Sequence, residues 1–498
     1  MKVVCPTHSA RHSESHLRIV SCRVATFAVA GLLLLAGGCA SHPVSKPPSS
    51  TSGANEASSV VVTGRTLTAG PRRYEIVSGG AGRERTGVAI SSDGRYVAFA
   101  SEDPTLTPGT PNDTLSVFMR DRQAGTVERI SGWHVLERGT GVEGDRWCAQ
   151  DPVMTPDGRF VAYISGTPDP GDDDPDYNLQ RVFLRDRVSG TTRNVSAGIT
   201  APQGKDCMFW GVTVSADGRF VAFTCTRTDI RYYVRDMLRG TTRELTAPRE
   251  KGRVNEIDQV LLGGRYIVFN SYKRGHDLDS ASKAGDFFGT YLLETRDGSR
   301  HLLTSTVDGG PVIDKEGYPE AGAASLSADG RYVAFSSAAS NLVAGDTNGA
   351  EDCFRLDLLT KTTTRVSLTA SSEQATSAAD PRYSDVGFFS PVLSADGSRA
   401  LFGASVLCNL VPGLAYPPGA TGYDVYLRDL DASTTVRVTD FGPRYDSLAT
   451  TSESNSGPAI GDYELSGDGN HAVFESNLAV VPFDDAPSFD ALVRDLPR

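Results

Sequence analysis

The chain has 498 residues, 39% hydrophobic and 22% charged, with 49 basic against 61 acidic side chains and a formal charge of −12. That hydrophobic share excludes a disordered chain, and beyond the N-terminus no run approaches the roughly 18 apolar residues of a membrane helix. An acidic protein repels polyphosphate, so no nucleic acid is expected as a partner. The charge suits cations, basic peptides or neutral glycans.

Lys2, Arg11, Arg18 and Arg23 form a basic region opposed only by Glu14, and Val24 to Gly38 is an apolar run of signal-peptide length. It closes on Leu35-Ala36-Gly37-Gly38-Cys39, which resembles a bacterial lipobox, where a signal peptidase cuts before a cysteine that becomes diacylated. Ala36 departs from that pattern, since leucine is commoner there. The resemblance implies a lipoprotein signal peptide over 1–38 and lipidation at Cys39. An ordinary secretory signal with an incidental cysteine is the alternative. Removing four basic residues and one acidic residue with the signal leaves 45 against 60, a formal charge of −15. Residues 39–70 are rich in Ser, Pro, Gly and Ala and are expected to form a flexible tether. The expected location is the cell envelope: exported, and held to a membrane by the lipid anchor alone, on its periplasmic or extracellular side.

Over residues 71–498 one phrase returns about every sixty residues: ISSDGRYVAF (90–99), MTPDGRFVAY (154–163), VSADGRFVAF (214–223), LLGGRYIVF (261–269), LSADGRYVAF (326–335), LSADGSRALF (393–402) and LSGDGNHAVF (465–474). Such periodicity marks stacked or radial repeats. In each copy a short apolar strand meets Asp-Gly, which supplies the positive φ angles of a tight hairpin. The next strand, as in Tyr96-Val97-Ala98-Phe99, is apolar throughout and so buried on both faces. A third strand ends in Arg-Asp (VFMRD 117–121, VFLRD 182–186, YYVRD 232–236, VYLRD 425–429, ALVRD 491–495), and a fourth follows a short turn. Four antiparallel strands buried on both faces describe a propeller blade. The fold class is therefore all-β: a single seven-bladed β-propeller of four-stranded blades. The seventh unit has only three strands, and Tyr74–Ser78 matches the fourth strand Val127–Ser131, so the N-terminal strand is expected to complete the last blade and close the ring.

The S-x-D-G-[RS]-x-[VA]-A-F phrase resembles the repeat of TolB-type propellers, which is also similar to the propeller of prolyl oligopeptidases. The resemblance covers 74–498 and concerns the repeat, not any one member. TolB carries a preceding α/β domain and six blades, a different layout, so its partners are not implied here.

The Asp-Gly and post-Arg-Asp turns are short and share one rim. The loops of the other rim are long and variable (132–150, 166–180, 273–289, 370–390, 405–423, 440–462), which is where binding is expected. Trp133, Trp147 and Trp210 map there and are candidate stacking residues for a sugar or an interface; packing among the loops is the alternative. Asp346-Thr347-Asn348-Gly349 with Asp352 offers oxygen ligands that partly resemble a calcium loop, so Asp346, Asn348 and Asp352 are candidate Ca2+ ligands. An Asx turn bracing the loop explains the same letters. Asp172, Asp173, Asp174 and Asp176 read as a solvated charge run. Cys148 and Cys207 occupy nearly equivalent places in adjacent units and are a candidate disulfide in an oxidising compartment, while Cys225, Cys353 and Cys408 read as small core or loop residues. No Gly-x-Ser-x-Gly elbow and no zinc-spaced Cys/His cluster occur in the repeats. No catalytic residue is therefore assigned. His471 stands where other copies have Tyr96, Phe160 and Tyr332, and reads as an interblade residue.

The expected function is a non-enzymatic lipoprotein that binds an envelope protein or glycan through the long-loop face. The alternatives are a metal-assisted glycan lyase or hydrolase, with His134 and His276 on that face, and a purely structural scaffold. The Cys39 reading predicts that Cys39→Ser leaves export intact and moves the protein from the membrane to the soluble fraction on fractionation.

Overall fold

The structure, a computed structural model, describes residues 60–61, 65–69, 72–78, 87–108, 115–131, 149–165, 180–199, 207–226, 230–245, 253–261, 266–273, 287–294, 299–302, 322–376, 387–405, 408–413, 423–441, 460–476 and 490–497. Among these residues every regular element is a strand, and the strands make seven antiparallel sheets. In the first sheet Val88–Ile90, Tyr96–Ser101, Ser116–Asp121 and Thr126–Arg129 pair in order from the inside outwards. The pattern repeats over 149–194, 208–244, 253–302, 322–365, 388–437 and 460–495. Inner strands of successive sheets touch in sequence order, and Ile460–Leu465 of the seventh touches Val88–Ile90 of the first.

Three N-terminal strands serve the junction of the seventh and first sheets. They are β1 (Val60–Val61), β2 (Arg65–Ala69) and β3 (Arg72–Ile76). β3 is the fourth strand of the seventh sheet, with Tyr74, Glu75 and Ile76 opposite Arg494, Val493 and Leu492. β2 adds outside β3, and β1 adds outside Thr126–Arg129 of the first sheet. Composition assigned 60–69 to the tether. The structure begins the fold there instead, because pairing to an open sheet edge needs backbone rather than apolar side chains.

The recurrent letters hold one another. Ser91 Oγ donates to Asp93, and Asp93 accepts the Arg95 amide. The Arg95 guanidinium reaches Asp121 at 2.7 Å, and that carboxylate also accepts the amides of Gln123 and Ala124. The first Asp fixes one turn, and the Arg ties it to the Asp that fixes the next. The same chain runs through Arg159–Asp186, Arg219–Asp236 and Arg331–Asp357. Hydrogen bonds from Arg219 and then from backbone amides hold Asp236 down at about 2, and Asp186 and Asp357 likewise lie well below the usual carboxylate range.

Only the glycine of Asp-Gly is left-handed, not both residues: Gly94 has φ +69° while Asp93 serves as an acceptor. Space also demands glycine, because a Cβ on Gly94 would lie 2.1 Å from the ring of His471 in the preceding sheet. Gly158, Gly218 and Gly397 sit in the same way on Tyr96, Phe160 and Tyr332. His471 is thus an interblade residue, as its register predicts. Turn backbones also bond across sheets, Ser92 N to Pro156 O at 2.7 Å and Asp468 N to Ser92 O at 2.8 Å.

The junction of the seventh and first sheets is built like the others. Arg122 binds Glu75 of β3 at 2.8 Å and Asp495 at 3.0 Å, just as Arg187 binds Glu128 of the sheet before it at 3.2 Å. Hydrogen bonds from His471 and then Arg122 hold the Asp495 carboxyl well below its usual range. Val77, Val473, Ala491 and Val493 pack there against Val97, Phe99, Phe118 and Val127.

Tyr74, Ile76 and Val77 are each under 5% exposed. Deleting residues 72–78 removes all three from the core, at about 1.5–3 kcal/mol for each fully buried apolar side chain, and bares the edge of Asp490–Asp495. The expected outcome is loss of cooperative unfolding or aggregation in a thermal melt. Deleting 42–57 should leave the midpoint unchanged.

Candidate functional site

The two rims differ in how their polar groups are spent. On the short-turn rim, aspartates and arginines of the recurring turns are tied to each other. At the other rim the strand ends carry a second device. A hydroxyl just past the fourth strand accepts the amide of the third: Val117 N to Ser131, Val182 N to Ser196, Cys353 N to Ser367, Val425 N to Thr439 and Ala491 N to Ser78, at 2.9–3.1 Å. In three sheets the hydroxyl then donates to a buried carboxylate at the start of the third strand, that of Asp352, Asp424 or Asp490. These bonds fix the strand ends at that rim.

An ion pair lies beside the brace in several sheets. Arg437 is 2.9 Å from Asp424, and Arg365 is 3.4 Å from Asp352 and 3.0 Å from Asp346. In the third sheet the charges are exchanged, with Arg231 3.3 Å from Glu244. In the first sheet Ser116 takes the acid's place and Arg129 the base's. The Nη1 of Arg129 is buried without a hydrogen-bond partner, and burial lowers that guanidinium's pKa.

The candidate calcium ligands Asp346, Asn348 and Asp352 do come together, but around a guanidinium. Arg365 contacts both carboxylates, Asn348 Nδ2 donates to Asp352 at 3.2 Å, and Gln374 Nε2 donates to Asp346 at 2.9 Å. The Ala350 amide donates to Asn348 Oδ1, which is the Asx turn. A fixed cation already neutralises the pair, so the calcium reading is corrected: Arg365 takes the role given to Ca2+. Burial, against the Ser367 hydroxyl and the Arg365 charge, pushes Asp352 up to about 6. Among the described residues no group of three or more Asp, Glu, His or Cys side chains is placed to hold a metal.

The disulfide expectation is corrected too. Cys207 bonds Cys225 of the same sheet, with Cα atoms 5.2 Å apart. The partner lies on the neighbouring strand, well within the roughly 7 Å limit, and Cys207 is therefore not available to Cys148. Cys148 lies outside the described residues, as do Trp133, Trp147 and Cys39. Trp210 is in the inner strand Met208–Val214, opposite Thr224 beside a bulge; its side chain is outside what is described. Cys353 and Cys408 are buried and form no disulfide, whereas Cys225, read with them as a small core or loop residue, is disulfide-bonded.

Two features escaped the sequence reading. Arg129, Arg365 and Arg437 were detectable as a recurring Arg-[Val/Ile]-[Ser/Thr] at 129–131, 365–367 and 437–439. Asp151 carries no such signal. It has φ +51° in an inner-strand bulge, in register with the left-handed Gly87 and Gly211, and burial pushes its carboxyl up to about 6.

No protein-family model and no curated protein matches the sequence. Solved structures similar in backbone include an oligogalacturonate lyase in complex with manganese, 10% identical, covering 89% of this chain and 98% of that one with a TM-score of 0.49. An oligogalacturonate lyase from Vibrio parahaemolyticus is 9% identical, with 89% and 99% covered and a TM-score of 0.47. TolB from Acinetobacter baumannii is 13% identical, with 70% of this chain and 64% of that one covered and a TM-score of 0.37. Similarity at this level is one of backbone shape, and no residue role is transferred from it.

Arg365→Met leaves Asp346 and Asp352 as close, buried carboxylates. Breaking a buried ion pair by removing one partner costs about 3–5 kcal/mol, which urea unfolding should register. Calcium added to the wild type should leave its melting temperature unchanged.

Proposed function

We propose that this protein is an exported, lipid-anchored envelope component whose seven sheets are the blades of one closed ring, and that it binds a protein or glycan through its long-loop face without catalysing a reaction. The observation that carries this reading is the difference between the rims. The short-turn rim uses its recurring charges on itself, whereas the opposite rim combines braced strand ends with long loops that differ in every unit. Rigid roots under variable loops are the usual layout of a binding surface. The Cys207–Cys225 disulfide fits an oxidising compartment outside the cytoplasm. A tether between Cys39 and β1 would hold the ring off the membrane.

Asp151 favours a second reading, a glycan-active enzyme. A carboxyl pushed up to about 6 can carry a proton near neutral pH, and its backbone is left-handed, a conformation that favours glycine and that Ser390 shares at the equivalent place in the sixth sheet.

Soluble protein starting at residue 40 should bind members of a glycan array or an envelope protein, equally with and without EDTA, and leave glycans uncleaved. Trp147→Ala or Trp210→Ala should weaken binding at least tenfold, while Thr191→Ala on the short-turn rim changes nothing. EDTA-sensitive cleavage lost in Asp151→Asn would favour the enzyme. Binding that fails with Thr191→Ala and survives the tryptophan changes would reverse the face.

A further inference from the structure

The short-turn rim carries apolar side chains that its turns do not require. Among the described residues four large hydrophobic side chains are exposed, and three of them share one position: Val188 at 76%, Leu238 at 77% and Leu359 at 76%. Each lies two residues past the aspartate that ends the third strand, in the second, third and fifth sheets. The fourth, Tyr423, is about half as exposed and packs edge-on against Phe389. The three are held out by the turn itself. Val188 N donates to Asp186 and Leu238 N to Asp236 at 3.0 Å, and Leu359 N to Asp357 at 2.8 Å, while an arginine grips each aspartate in turn. The first and sixth sheets have Gln123 and Asp431 in the same place, so the turn folds as well around a polar residue.

From this placement we propose that the short-turn rim is a docking surface for the lipid bilayer, a proposal that rests on the reading of the protein as a lipid-anchored ring and adds which rim turns to the membrane. The chain enters the fold at that rim. Val61 lies opposite Thr126, the first residue of its strand after the short turn 122–125 of the first sheet, and that sheet touches the second. Residues 40–59, twenty in number, separate Cys39 from Val60, a span of at most about 70 Å. The tether therefore limits how far the ring stands off the bilayer and leaves the short-turn rim free to settle there. Charge does not oppose the contact. The chain carries −12 overall, yet in each of the three sheets the recurring turns hold two acidic and two basic side chains, as Asp157, Arg159, Asp186 and Arg187 do in the second. The apolar side chains stand on turns of three different sheets. A protein pocket takes one contiguous apolar patch, whereas a bilayer accepts each side chain on its own. Tethering makes that weak insertion an intramolecular event. Docked in this way, the ring presents its long-loop face away from the membrane.

The test holds protein starting at residue 40, with a histidine tag at its N-terminus, on phosphatidylcholine vesicles that contain a nickel-chelating lipid. The tether is then present whether or not Cys39 carries a lipid in the native protein. Val188→Cys, Leu238→Cys and Leu359→Cys are made singly, beside Ala344→Cys, an exposed position at the long-loop end of the fifth sheet. Each is labelled with a charged maleimide and read peptide by peptide. Vesicle attachment should slow labelling at 188, 238 and 359 at least fivefold relative to the free protein and leave 344 unchanged. Adding Leu238→Asp and Leu359→Asp to Val188→Cys should abolish the protection at 188 with the melting midpoint unmoved, because the replaced side chains are exposed. Labelling at the three positions that does not slow, equal slowing at all four, or slowing at 344 alone overturns the proposal. So does a fall in the midpoint of the combined variant, which would give these side chains a packing role instead. Lipidation is decided separately, by the mass of the native protein, so the docking surface and the lipid anchor can fail independently.

Discussion

A glycine pressed against the ring of the neighbouring sheet is the contact on which the rest of this structure depends. At Gly94 the turn requires φ +69° and leaves no room for a Cβ above His471, so two independent constraints select the same residue. Close approach brings the turn backbones near enough to bond between sheets. Within a sheet, Arg122 donates to the Gly94 carbonyl at 2.9 Å, as Arg187 does to that of Gly158 at 2.8 Å. Arg187 further lies 4.4 Å from the centroid of Tyr96, closing a glycine–aromatic–arginine stack. At the four junctions where such a glycine meets a ring, Gly94, Gly158, Gly218 and Gly397, each sheet is thereby indexed to the one before it.

One consequence is that the ends of the chain must meet. A sheet that indexes its neighbour cannot be left with an open flank without exposing apolar side chains and unpaired backbone. β3 meets that demand with backbone pairing to Asp490–Asp495, with Tyr74, Ile76 and Val77 in the core, and with Glu75 offered to Arg122. A second consequence is a division of labour between the rims. Fixing the short turns uses up the Asp and Arg residues of the repeat, so the opposite rim can vary its loops without disturbing the indexing. The Ser/Thr braces and buried ion pairs there stop that variation at the strand ends.

Most of the fold was legible because its determinants are local and repeated. Asp-Gly, the apolar second strand and Arg-Asp recur seven times in part or whole, and the placement of Tyr74–Ser78 followed from its likeness to Val127–Ser131. The details that failed were set by distance in space. Asp346 and Asp352 look like ligands when only their own loop is read; Arg365 enters from a strand that the sequence places after them. Cys207 seemed matched to Cys148 by register in the repeat, yet the neighbouring strand of its own sheet brings Cys225 closer. β1 and β2 were invisible because edge pairing is made by main chain, which composition does not encode. Asp151 was missed for a related reason: a bulge redirects one residue, and nothing in the letters around it announces the shift.

The central claim is that the N-terminal strand is an integral part of the seventh sheet, on which the proposed closed ring depends. Amide hydrogen exchange of the native protein tests it most directly. The account predicts that amides of residues 74–77 exchange as slowly as those of 491–494 and lose protection together with them as denaturant is raised. Exchange of 74–77 at the rate of an unfolded chain, while 491–494 stay protected, would contradict it.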